Sequence, residues 1–147
     1  MNVSLNKKII MISMVVILAI VLVGFSSNET GEKTDILFHI TLADPDLYVN
    51  GVYTEKFTLE KGKYLFRFVP NGSSPKILSI TLSGDTFDYS EDFSLIGTPH
   101  QAGLSEYFTW DYDGQKNIFV SEMQELSITI NPNTETLGSV SVDILEN

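Results

Sequence analysis

From Asp35 onward apolar side chains recur at every second position, and that period restricts the chain to β-sheet. Ile36, Phe38, Ile40 and Leu42 alternate with polar or outward-placed residues, and the same rhythm runs through Leu78, Ile80 and Leu82, through Leu126, Ile128 and Ile130, and through Val140, Val142 and Ile144. Ser79, Thr81, Ser127, Thr129, Ser139 and Ser141 occupy intervening positions. Successive strand residues point to opposite faces, so each stretch offers one face to a core and one to water. After Asp35 nothing repeats at the 3.6-residue spacing of an amphipathic helix.

Turn chemistry cuts this pattern at regular intervals. Asn50-Gly51, Lys61-Gly62, Asn71-Gly72, Gly84-Asp85, Asp113-Gly114 and Asn131-Pro132 fall between apolar stretches. Asn-Gly and Asp-Gly tolerate positive φ at both central positions of a primed turn, which predicts tight hairpins at 50–51 and 113–114. Strands are expected near 35–42, 46–50, 52–59, 63–69, 76–83, 92–96, 104–112, 116–121, 125–130 and 137–145. The pattern is all-β: an antiparallel β-sandwich with a jelly-roll-like or immunoglobulin-like strand order. Roughly 113 residues suffice for one modest core. The chain has no Cys, which excludes a disulfide-bearing immunoglobulin domain, thiol catalysis and Cys-ligated zinc.

The first 34 residues obey other rules. Lys7 and Lys8 precede residues 9–25, an apolar run in which only Ser13 is polar, and no further charge appears before Glu29. As a helix that run covers roughly 25 Å, and the uncharged stretch from 9 to 28 roughly 30 Å, the thickness of a bilayer core. The reading is a cytoplasmic leader at 1–8, a transmembrane signal anchor at 9–25, a tether at 26–34 and an extracytoplasmic domain at 35–147. Signal-peptidase cleavage near Gly24 and Ser26 is the alternative fate of the segment. The two leader lysines, with all 19 acidic residues following the apolar run, place the N-terminus in the cytoplasm by the positive-inside rule. A formal net charge of −10 supplies no basic face for phosphate, so no nucleic-acid partner is expected.

Within 47–82, Val49-Asn50-Gly51 is followed by Phe57-Thr58-Leu59, Gly62 and Tyr64. This succession of a turn, an apolar-x-Leu strand, a Gly turn and an aromatic strand resembles the PEGA-type β module of prokaryotic surface proteins, although the Pro-Glu-Gly-Ala element is missing. Taken whole, the chain looks like membrane-anchored β-sandwich proteins of archaeal cell surfaces. Those resemblances imply a surface location and carry over no catalytic motif.

Candidate chemistry is sparse. His39 and His100 are the only histidines, and no His-x-His or His-x-x-x-His spacing marks a metal site. Asp44-Pro45-Asp46 and Asp111-Tyr112-Asp113-Gly114 pair carboxylates but lack the remaining ligands of a calcium loop, and read as turns. No Gly-x-Ser-x-Gly elbow or nucleotide-binding loop is present. A metal-assisted hydrolase using Asp44, Asp46 and His100 is the enzymatic alternative; the expectation is a non-enzyme without cofactor or metal. Aromatic residues are the better signal. Phe108, Trp110 and Tyr112 share one strand face, as core or as ligand platform, while Tyr107 with Thr109 and Asp111 takes the other. Tyr107, Trp110 and Tyr112 are therefore the candidate ligand-binding residues. Asn28 in the tether and Asn71 in a turn are candidate N-glycosylation sites. The expected function is a membrane-tethered binding or structural module of the cell envelope, engaging an envelope protein or glycan. The alternative is an accessory single-span subunit of a larger membrane complex.

Overall fold

The computed structural model describes residues 35–147; the leader, the anchor at 9–25, the tether and Asn28 lie outside the described residues. Nine strands form: β1 (Ile36–Leu42), β2 (Tyr53–Leu59), β3 (Gly62–Pro70), β4 (Ile77–Ser83), β5 (Asp88–Ala102), β6 (Ser105–Asp113), β7 (Asn117–Val120), β8 (Gln124–Asn131) and β9 (Val140–Glu146). They build two antiparallel sheets, ordered β1-β9-β3-β7 and β2-β8-β4-β5-β6. The pairing is nested. First joins last, with β1 on β9, then β2 on β8, β3 on β7 and β4 on β5. β6 stands outside that nest, added to the sheet edge through β5 alone.

The alternation seen in the sequence fills the space between the sheets. Leu42, Leu78, Ile80, Leu82, Leu126, Ile128, Ile130, Val140, Val142 and Ile144 are fully buried. Each such side chain contributes about 1.5–3 kcal/mol relative to exposure. Aromatic rings bridge the two layers at one end. Phe66 and Phe68 of β3 meet Tyr89 and Phe93 of β5 and Tyr112 of β6, with centroids 4.7–5.8 Å apart.

Most turns fall where their residues predict. Asn50 (φ 54°) and Gly51 (φ 84°) make the primed turn between bridged Val49 and Val52. Three expectations are corrected. The strand expected at 46–50 is instead a 3-10 turn, Pro45–Leu47, because Pro45 presets its first position and Asp44 caps it by accepting from the Asp46 N–H at 2.9 Å. Asp113-Gly114 is not a hairpin: β6 belongs to the five-stranded sheet and β7 to the other, so this turn crosses between layers. The strand expected at 92–96 runs from Asp88 to Ala102, and Gly97 to Ala102, expected as a loop, is strand. Gly97 and Pro99 mimic a loop signal. Beyond Ser94 no residue of β4 pairs with β5, and a strand with one open edge accommodates a Pro nitrogen there.

Candidate functional site

The same loss of a neighbour creates the most distinctive surface of the domain. β4 ends its pairing with Ile77 opposite Ser94, while β5 and β6 continue as a two-stranded arm from Ser94–Asp113 to Ala102–Ser105. Its turn is two residues long, with Gly103 at φ 64° as the glycine-first hairpin requires, and Leu104 wholly exposed. One face of the arm continues the core face of the sheet. Leu95 lies opposite Tyr112, Gly97 opposite Trp110 and Pro99 opposite Phe108.

Cover is lost step by step along that face. Tyr112, at the base, is buried against Phe68 and donates its hydroxyl to the Pro75 carbonyl at 2.6 Å. Burial, aided by the Glu135 carboxylate, pushes its hydroxyl well above the usual tyrosine range. Trp110, one step out, is half-buried. Its six-membered ring lies over Gly97, where a Cβ would come within 2.6 Å of Cζ3. Lys76 Nζ sits 5.2 Å from the ring centroid, a cation–π placement. Lys76 is itself held, its N–H donating to Glu135, a carboxylate that also accepts from Ser74 Oγ. Phe108, next outward, is 46% exposed and its ring is 5.7 Å from that of Trp110.

The opposite face carries Tyr107, 52% exposed, stacked on His100 at 5.0 Å. His100 Nε2 hydrogen-bonds Thr109 Oγ1 at 2.8 Å. The structure thus separates the three candidates. Tyr112 is core and closed to ligand, Trp110 and Tyr107 occupy opposite faces, and the partner of Trp110 is Phe108. Gly97 and Pro99 complete that surface as a bare floor. Their clue was in the sequence as residues without bulk placed across from large rings, but only the β5–β6 register makes it readable.

The paired carboxylates have structural duties, and Asp111 and Asp113, expected in a turn, lie in β6. Asp44 caps the 3-10 turn, and Asp111 accepts from the Tyr112 N–H and pairs with Lys116 at 2.9 Å. Ile96, Thr98, Asp111, Asp113 and Lys116 border a shallow depression of about 260 Å³ at the base of the arm. Among the described residues no group of three His, Asp or Glu converges as a metal site. His39, exposed as its strand position predicts, has a partner that spacing did not reveal: Asp143, on the central strand β9, lies between His39 of β1 and Arg67 of β3 and is buried. Arg67 donates to it from Nε at 2.8 Å and Nη2 at 2.7 Å. Thr41 Oγ1 lies 3.4 Å from His39 Nε2 and 2.8 Å from Ser141 Oγ, extending a polar row across the outer sheet face.

The position of Trp110 over Gly97 is directly testable. Gly97→Val is expected to lift the ring and red-shift its emission, leaving global stability within about 0.5 kcal/mol because the arm lies outside the core. Trp110 is the only Trp, so the signal is unambiguous. Unchanged emission would show that the ring does not rest on that floor.

Compared with known proteins, the chain matches no protein family, no curated protein and no solved structure.

Proposed function

We propose that this chain is a non-enzymatic binding module of the cell envelope, tethered by residues 9–25 with its β-domain outside the membrane, which engages an envelope protein or glycan through the β5–β6 arm. One observation carries the reading. The aromatic strip of Trp110 and Phe108 over Gly97 and Pro99 is continuous with the core, yet the facing sheet does not cover it. Nested pairing is the strand order of a jelly roll, with β6 as the surplus strand, and the uncovered strip lies where that surplus strand extends.

Magnitude limits what the strip does alone. Covering about 150 Å² of apolar surface at ~25 cal/mol per Å² yields roughly 4 kcal/mol gross. Association costs at least about as much. The arm is therefore a weak surface that gains from hydrogen bonds at its polar margin or from repeated copies on a membrane. A flat aromatic pair beside Gln101 and Glu106 suits a sugar ring or an extended polypeptide. The acid surplus keeps the domain off anionic lipid headgroups. Asn71 is exposed after β3, which supports its reading as a glycan acceptor.

The test has two parts. Protease added to intact cells should release the domain and leave a membrane stub. Titration of the full chain with envelope polysaccharides and with envelope proteins should give a saturable Trp110 fluorescence change with one class, abolished by Phe108→Ala. A domain shielded from protease in intact cells refutes the location, and no saturable response with either class refutes the arm as binding surface.

A further inference from the structure

β6 is also the one long sheet edge without Pro, Lys or a bulge; its charges are three acids, Glu106, Asp111 and Asp113, and one N–H near its end, that of Tyr112, is accepted by Asp111 Oδ1. Exposed edges are ordinarily blunted by Pro, Lys, a bulge or shortness. Among the other edges of the described domain, β1 has a register shift between Ile36 and Phe38, β2 carries Lys56, and β7 is four residues long. The open side of the arm's β5 contains Pro99. β6 has nine residues, Ser-Glu-Tyr-Phe-Thr-Trp-Asp-Tyr-Asp, with no Pro, Gly or Lys, and its pairing to β5 is unbroken over its whole length. In an antiparallel ladder, alternate residues of such an edge direct their N–H and C=O groups away from the sheet.

The order of its side chains is self-complementary. Pairing β6 antiparallel with a second β6 about Thr109 sets Phe108 against Trp110 twice, Tyr107 against Asp111, Glu106 against Tyr112 and Ser105 against Asp113. No acid faces an acid, directly or on a diagonal, and Asp111 is already neutralised by Lys116. Cross-strand aromatic pairs of this kind each contribute roughly 0.2–1 kcal/mol, and the arrangement closes with two-fold symmetry. Two-residue slips forfeit these matches: one way sets Trp110 against Trp110 and brings the two Asp111 carboxylates onto a diagonal, the other sets Trp110 against Glu106, and both break the Phe–Trp pairs. We infer that β6 is a homodimerisation edge, joining two copies of this chain into one continuous ten-stranded sheet with Thr109 on the two-fold axis. This goes beyond the ligand reading of the arm, and sets two aromatic strips side by side on one surface.

The chain has no Cys, so single cysteines report the register without background. Directly opposite antiparallel residues lie about 4.5–5.5 Å apart between Cα atoms, within disulfide reach. The full chain, purified in mild detergent, carries Thr109→Cys, Tyr107→Cys, Asp111→Cys or Leu104→Cys, and is exposed to a mild oxidant. Thr109→Cys should cross-link on the order of tenfold faster than Leu104→Cys at the exposed tip, since pairing raises the local thiol concentration. Tyr107→Cys and Asp111→Cys should cross-link poorly alone, their symmetry mates lying roughly 13 Å apart, and readily when mixed. In native mass analysis Thr109→Lys and Thr109→Glu should each be monomeric, and an equimolar mixture should restore the dimer. A tip cysteine that reacts as fast as position 109, a dimer that persists in Thr109→Lys, or a wild-type chain that stays monomeric at tens of micromolar overturns the proposal. None of these outcomes bears on the fluorescence titration, so the two readings fail separately.

Discussion

Phe93→Ala is expected to lower stability by about 3–5 kcal/mol, and Phe108→Ala by less than about 1 kcal/mol. The two rings lie on the same face of paired neighbouring strands, yet only one has a facing layer. Phe93 is fully buried, 5.8 Å from Phe66 and 4.7 Å from Phe68, so truncation leaves a void between two sheets that cannot close over it. Gly114 adds to the constraint, since its Cα passes so close to the Phe93 ring that a Cβ would come within 2.6 Å of Cδ1. Phe108 is half in water and touches chiefly Trp110, so its loss removes a surface contact. Chemical unfolding followed by far-ultraviolet circular dichroism measures both. Losses of similar size would mean that the arm packs into the core, and the aromatic strip would cease to be a free surface.

That contrast also marks how far the sequence was readable. Period two at 78–82, 126–130 and 140–144 names the core residues because burial on one sheet face writes itself into every second position; in 36–42 it names Phe38 and Leu42, while Ile36 at the strand start stays 52% exposed. Asn50-Gly51 names its turn because few other residue pairs take positive φ twice in succession. The arm was not legible. Phe108, Trp110 and Tyr112 share a period whether buried or bare, and only the end of β4 opposite Ser94 decides where cover stops. Gly97 and Pro99 signal a loop by local propensity, and the tertiary fact that one side of β5 is open overrides it. Asp113-Gly114 has hairpin chemistry but connects two layers, since turn residues fix local geometry and leave the destination of the next strand to the core. Asp143 was hidden for a related reason. It falls on the outward phase of β9, where exposure is expected, and becomes buried because flanking side chains from both neighbouring strands close over it.

Arg67→Ala is expected to destabilise the domain by about 3 kcal/mol, more than the loss of an ordinary surface ion pair. Asp143 keeps only 2% of its side-chain surface exposed, so removing Arg67 leaves a nearly dry carboxylate with His39 as its remaining partner. The figure sits at the low end for a broken buried pair because Arg67 is itself half in water, and solvent enters where its side chain is cut away. The cost comes from the stranded charge rather than from the lost attraction, which fixes the sign of a double-mutant cycle. Asp143→Val combined with Arg67→Ala should be more stable than Arg67→Ala alone, as Val suits a central strand and leaves no carboxylate to solvate. A double variant less stable than the single one would mean that Asp143 is held by something other than its charge. Specificity explains why such a costly group sits mid-sheet. The His39–Asp143–Arg67 row joins β1, β9 and β3 at directly opposite positions, and a two-residue slip of any of the three, which keeps every apolar side chain on the core face, would separate its member from the row. In a sheet whose inner face is Ile, Val, Leu and Phe with Tyr64, that outer polar row supplies the register that apolar packing alone leaves open.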